Sequence, residues 1–372
     1  MLNFGKCYKY LDQCANGFWS AKNILTYGRP VNVVTGTRSV GKSTGVACLC
    51  LINYMIYGKK FMYVRRRSED TFMTCKTFFD NAIEIVNRYC KLRKIEAFKA
   101  YNGKYYIAFS KDEDENPIWE ECGLYTPLSK EENLKSSVFS DYTIIVYDEF
   151  ISKDPNKYIG TKDNIEAEWN ALVSLYQTVD RGVNMPYRNE TVLFMLANKA
   201  TMYNPICLTI GLSDYVQPDG VPQPHFTNPK GAIWVWEDVG AVDATVDYKD
   251  SFSYKMSSDS VKKYAYENQE TDSKDFIKRP GIAFYDRTVR LKGVEYGIYH
   301  DIDFQFYIDK AKPGYAVISL DTQSHNPTSH FIKTWEEDMT LQAVTMAYRR
   351  GKLYFGNAKI QRLFLQYLDF MK

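Results

Sequence analysis

Apolar positions change their period several times along the 372-residue chain. Val31-Asn32-Val33-Val34-Thr35 is a run of strand length, and 44–57 is a longer, mostly apolar stretch without proline, which predicts a buried helix. Residues 60–64 read as a second strand. Phe72, Cys75, Phe79, Ile83 and Val86 then recur at the spacing of one amphipathic helix. Two short runs, 98–101 and 104–109, flank Asn102-Gly103, a dipeptide suited to the type I′ turn of a hairpin, and 111–116 reads as an exposed acidic loop. Thr143-Ile144-Ile145-Val146 is a β-branched strand. Ile165, Trp169, Leu172, Val173, Tyr176 and Val179 mark a helix running up to Asp180-Arg181, and 191–197 is a further apolar strand. Strands that are apolar throughout, rather than alternating, fit a parallel sheet covered on both faces.

The pattern changes beyond residue 230. The proline-rich segment 218–229 and a short strand at 232–236 close the first domain, and 248–279 is charged and poor in apolar residues, as in a helical or flexible linker. From Gly281 the chain is β-rich, with runs at 282–285, 296–299, 304–308 and 315–320, and Ile360, Leu363, Phe364, Tyr367 and Leu368 mark a terminal helix. The organisation expected is an α/β domain over 1–247, a linker over 248–280 and a smaller α+β domain over 281–372. A chain of this length exceeds what one core comfortably fills.

Composition narrows the partners only slightly. With 47 basic and 45 acidic residues, no global field draws the protein to nucleic acid, so any such surface is local. The eight cysteines show no zinc-type pairing and follow no secretory leader, so they read as reduced, partly buried thiols in a cytosol. The longest apolar stretch, 46–57, is too short for a bilayer span, so a soluble protein without a membrane partner is expected. The 30 tyrosines suit stacking or wet interfaces, but a tyrosine-rich core is the commoner explanation.

The chemistry begins where the first strand ends. Gly36-Thr37-Arg38-Ser39-Val40-Gly41-Lys42-Ser43, followed by Thr44, is a Walker A loop: glycines turn backbone N–H groups inward, Lys42 reaches the β/γ-phosphates and the Ser43 hydroxyl ligates Mg²⁺. The helix that follows presents its positive end to the phosphates. Strand 143–147 ends in Asp148-Glu149, the form of a Walker B element, with Asp148 on the Mg²⁺ shell and Glu149 as general base toward water. Asn198 ends the next strand and is the candidate γ-phosphate sensor, the alternative being a turn-forming asparagine. The expected cofactors are ATP and Mg²⁺. Arg65-Arg66-Arg67 reads as a contact to a DNA backbone, a contact to phosphate across a subunit interface or a solvated charge run, and Lys104 as a pore candidate.

These motifs, in the order Walker A, Tyr63-Val64-Arg65-Arg66, Val146-Tyr147-Asp148-Glu149-Phe150, Thr178-Val179-Asp180-Arg181 and Leu196-Ala197-Asn198, resemble the DNA-packaging ATPase of phi-29-like podophages. The resemblance covers most of the first two hundred residues and is looser beyond. It implies a P-loop NTPase of the additional-strand type. It also implies a homopentameric ring on the capsid portal, in the host cytoplasm, driving double-stranded DNA into a procapsid, with a packaging RNA as a further partner. Arg181 matches the trans-acting arginine finger, with Arg188 as runner-up, and Arg38 resembles the in-loop arginine of viral packaging motors; by position alone both Arg181 and Arg38 also read as surface cations. The resemblance implies that the C-terminal domain is a vestigial ribonuclease H-like nuclease that docks on portal or RNA. Asp321 follows a strand there, but Asp321, His325 and His330 match no closed zinc spacing. Two rival readings stand beside the motor: a nucleotide-dependent assembly switch, and a terminase-like enzyme that both pumps and cuts.

Overall fold

The computed structural model describes residues 4–135, 137–152, 157–160, 166–181, 188–199, 201–202, 204–215, 225–240, 251–266, 279–291, 293–322, 324–332, 337–357, 360–361 and 364. The chain forms two compact units, Met1–Gly160 with Glu166–Glu270, and Thr161–Ile165 with Thr271–Lys372.

The first unit opens with α1 (Gly5–Ala15) and α2 (Ala21–Leu25), followed by β1 (Val31–Gly36), α3 (Lys42–Tyr57) and β2 (Lys60–Arg65). Next come α4 (Ser68–Thr74), α5 (Asp80–Tyr89), β3 (Ala97–Tyr101), β4 (Lys104–Lys111), β5 (Pro117–Pro127) and β6 (Tyr142–Asp148). The unit ends with α6 (Ala167–Asp180), β7 (Val192–Ala197), α7 (Pro205–Thr209), β8 (His225–Thr227), β9 (Trp234–Val239), α8 (Phe252–Met256) and α9 (Asp259–Tyr266).

Its nine strands form one sheet in the order β3-β4-β5-β2-β6-β7-β1-β9-β8. The six from β5 to β9 in that order are parallel, and the edges are antiparallel. Successive residues of the central strands serve opposite faces. Ile144 and Val146 join the core under α1, α3 and α5, while Ile145 and Tyr147 join the core under α6 and α7. This double cover is why these strands are apolar throughout. β7 lies between β1 and β6, where the resemblance implies an additional strand.

Two local expectations change and one holds. The single helix through Phe72 and Val86 is two helices, because the chain turns at 75–79; Cys75 and Phe79 are buried while Phe72 is exposed. The hairpin turn is as expected, with Asn102 and Gly103 both left-handed at φ 49° and 80°. Helices α8 and α9, within the segment read as a linker, group with the first unit, and Ala265 is buried in its core.

The second unit holds β10 (Phe284–Leu291), β11 (Val294–His300), β12 (Phe306–Lys310), β13 (Val317–Ser319), β14 (Ser329–Phe331), α10 (Met339–Arg349) and β15 (Leu353–Phe355). β10, β11 and β12 form an antiparallel meander, and β13, β14 and β15 add parallel strands in the order β14-β13-β10-β11-β12-β15. Leu341, Val344 and Ala347 of α10 pack into its core. Of the terminal helix expected at 360–368, only residues 360, 361 and 364 lie among those described, and Phe364 is fully buried.

Candidate functional site at the carboxyl ends of the parallel strands

Because β1, β7, β6 and β2 are parallel neighbours in the order β2-β6-β7-β1, their carboxyl ends bring four short segments together: 36–43, Asn198, 148–149 and 65–66. This edge is where open α/β sheets bind ligands. Two glycines shape the loop. A Cβ on Gly36 would stand 2.5 Å from the Val239 carbonyl oxygen, and Gly41 adopts φ 91° against Phe18. Ser39 is also left-handed, at φ 65°.

Lys42 opens α3 and is buried, with its Nζ donating to the carbonyls of Gly36 (2.9 Å) and Thr37 (2.6 Å) and to Asn198 Oδ1 (3.3 Å). Burial pushes the ammonium down to about 8, with Asp148 and Asp238 opposing. The Ser43 hydroxyl donates to Asp148 Oδ1 at 3.4 Å. Lys42, Ser43, Asp148 and Asn198 therefore share one site, as the sequence implied. Arg38 and Ser39 are exposed, and the Arg38 backbone N–H donates to the Ala265 carbonyl (2.7 Å), so α9 docks directly on the loop.

The acidic pair is held from β2. Arg65 Nη1 donates to Asp148 Oδ2 (3.1 Å), its Nη2 to Glu149 Oε2 (2.6 Å), and the Tyr63 hydroxyl to Asp148 Oδ2 (3.2 Å). Burial raises the Asp148 carboxyl, and Arg65 opposes that shift. Glu149 is exposed and left-handed, at φ 55°, a conformation uncommon for non-glycine residues. Behind the loop, Asp238 accepts from Thr35 Oγ1 (2.9 Å) and Lys199 Nζ (2.9 Å), a buried pairing that anchors β9 to β1 and the end of β7.

Beside the loop, a cavity of about 400 Å³ is lined by Ser39, Gly41 and Thr44 of the loop and helix start and by Phe18, Asn81 and Glu84. Its floor includes Trp19 and Cys48.

Several expected site residues lie elsewhere. Arg65 and Arg66 are buried and ion-paired, so they offer nothing to DNA or to solvent; of the three arginines only Arg67 is exposed. Lys104 is paired with Glu121 at 2.6 Å. Arg188 is not placed to act as a finger. Its guanidinium donates to the carbonyls of Val179 (2.7 Å), Phe139 (3.3 Å), Tyr142 (2.8 Å) and Ser140, at the amino ends of the strands.

Arg181 caps α6 and is exposed. The neighbouring Asp180 carboxylate accepts from the amides of Asn189, Glu190 and Thr191, just before β7 begins. Because β7 and β1 rise together, with Val31 opposite Leu193, Arg181 stands about five strand residues, roughly 17 Å, below the loop. Within its own chain it does not reach that loop.

In the second unit the Asp321 carboxylate accepts from the Ser324 amide (2.8 Å) and hydroxyl (2.7 Å), and Ser329 Oγ lies 3.3 Å from His325 Nδ1. Among the described residues no group of three His, Cys, Asp or Glu side chains is arranged to hold a metal, and no helix is long and apolar enough to cross a membrane. All eight cysteines are free and buried.

A family model of the podovirus DNA encapsidation protein (Gp16) matches residues 14–372. The chain belongs to this family. It is 24% identical over 363 residues to the DNA packaging protein of Bacillus phage phi29, covering 93% of this chain and 95% of that one. With the DNA packaging protein of Bacillus phage B103 it shares 28% over 190 residues, 51% of this chain and 50% of that one. Its fold is similar to a chain of the bacteriophage Phi-29 viral genome packaging motor assembly, at TM-score 0.66 and 21% identity, covering 96% of this chain and 100% of that one. It is also similar to the Phi-28 gp11 DNA packaging motor, at TM-score 0.58 and 18% identity, covering 96% and 98%.

For this encapsidation-family chain, sequence reasoning missed Tyr63, Arg65, Lys199 and Asp238 as parts of the site's frame. Parity supplied a signal for Arg65. On a strand covered on both faces, the last two residues diverge, and one of them must face the neighbouring Walker B carboxylates.

Proposed function

We propose that this protein is the ATPase of a genome-packaging motor, coupling ATP hydrolysis to translocation of double-stranded DNA into a procapsid. The observation that carries the reading is the convergence of Lys42, Ser43, Asp148 and Asn198, with Glu149 beside them. Backbone N–H groups of 36–44 and the Lys42 ammonium take the phosphates, while the Ser43 and Asp148 oxygens are hard donors of the kind Mg²⁺ prefers. When bound there, the ion would supply neutralisation of developing phosphate charge. Glu149 withdraws a proton from water once its carboxylate leaves Arg65, and Asn198 reads the γ-phosphate. The cavity lined by Phe18, Asn81 and Glu84 beside the loop would take the base and ribose.

The roughly 17 Å between Arg181 and its own loop supports action on a neighbouring subunit's phosphate, with Arg38 acting in cis from the loop. A homopentameric ring on the portal, assisted by a packaging RNA, completes the reading. Residues 1–247 with α8 and α9 form its motor, and the remainder of 248–280 is the connection. Residues 281–372 dock the motor as a vestigial ribonuclease H-like unit, a reading supported by the meander flanked by parallel strands. Glu149→Gln tests the site. The variant binds ATP with an affinity within about twofold of wild type and loses turnover by about a hundredfold or more; turnover at the wild-type rate would remove Glu149 from the role of base.

A further inference from the structure

Arg65 and Arg66 leave the end of β2 toward opposite faces of the sheet. Arg66 Nε donates to both carboxylate oxygens of Glu168 (3.0 and 2.9 Å), Nη2 to the Phe150 carbonyl (2.6 Å) and Nη1 to the Glu149 carbonyl (3.4 Å). Glu168, in the first turn of α6, is fully buried and also accepts from the Tyr147 hydroxyl (2.5 Å) and the Ile159 amide (2.7 Å). The Tyr158 ring lies 4.6 Å from the guanidinium. A charge pair so buried is poor evidence of stabilisation, since apolar residues of similar volume usually serve as well, and its retention calls for another reason.

The reason is what the pair grips. Among the described residues its only backbone acceptors are the carbonyls of Glu149 and Phe150, the residues of the left-handed turn that ends β6. From the other side the Phe150 amide donates to Leu196 (3.2 Å). Arg65 holds the Glu149 side chain while Arg66 holds its backbone, so two adjacent residues govern the two halves of one glutamate. We propose that the Arg66–Glu168 pair is a positioning device for Glu149. It fixes the strained turn, so the carboxylate moves between Arg65 and the reacting water by side-chain rotation alone, with its aim kept. Neither residue touches substrate. The inference deepens the proposed function and rests on Glu149 as the base.

Arg66→Met combined with Glu168→Met tests it, because removing both charges leaves no unpaired ion in the core. In the full-length protein, hydrogen exchange at the Glu149 and Phe150 amides accelerates by about tenfold or more, while Ile145 and Val146 keep their protection. The kcat for ATP falls by about tenfold or more and KM changes by less than about twofold, the signature of lost aim rather than lost binding. Should the double variant not fold, Glu168→Gln, which keeps one oxygen acceptor in place of the two that Tyr147 and Ile159 use, carries the same measurements with a smaller effect. Unchanged exchange at the two amides overturns the positioning role, and accelerated exchange with a wild-type kcat overturns its link to catalysis. A wild-type protein without ATP turnover counts against the proposed function, while the exchange data still decide the positioning claim.

Discussion

Lys42 concentrates the conflict between burial and charge. Its ammonium has left water for two loop carbonyls and an asparagine oxygen, and burial holds it at about 8, below the 10.5 of an exposed lysine. The folded chain thus binds fewer protons than the unfolded chain between about pH 8 and 10.5, and this group's contribution to stability rises with pH across that window. Phosphate favours the charged form, so ATP binding above about pH 8 takes up a proton. Calorimetry at pH 8.5, in buffers of different ionisation enthalpy, is expected to show net uptake of roughly three-quarters of a proton; no net uptake would mean that the lysine is already charged. At this scale the loop and the acidic pair were legible, because each motif is contiguous. The partners Arg65, Asp238 and Glu168 were not, since their roles come from strands and helices far apart in sequence.

The elements explain why some of these residues meet. Parallel neighbours align their carboxyl ends, so strand order alone puts Asn198 beside Lys42 and Arg65 beside Asp148. Continuous apolar runs made the central strands readable, but β5 was missed because it starts at a proline and carries Glu120 and Glu121 among its residues. α9 was read only as part of a linker because its one fully buried anchor is the small Ala265, with Val261 and Tyr266 merely half-buried against the core among the described residues. Arg188 belongs to this scale: it ties the end of α6 to the start of β6 through backbone carbonyls. Arg188→Ala leaves those acceptors without a charged donor, and urea unfolding is expected to show a loss of about 3 kcal/mol. A loss under about 0.5 kcal/mol would return Arg188 to the surface cations and to the list of finger candidates.

For the whole molecule, the distance between Arg181 and its own phosphate loop makes subunit mixing decisive. Neither Arg181→Ala nor Lys42→Ala alone is expected to hydrolyse ATP at more than a few per cent of the wild-type rate, roughly the cost of removing a charge-stabilising group. Mixed oligomers regain activity, because some interfaces join an intact loop to an intact Arg181. Absence of rescue at every ratio would place both groups in one chain, against the strand geometry. The near-neutral net charge gives no hint of a nucleic-acid partner. That partner enters through family membership, and so does the reading of the second unit, whose short strands and loops leave few contiguous signals. The most direct test of the motor is ATP turnover by the purified wild-type protein with and without double-stranded DNA and empty procapsid. Turnover that rises by about tenfold or more with both present is the predicted result; turnover indifferent to DNA would leave a nucleotide-dependent switch in place of a translocase.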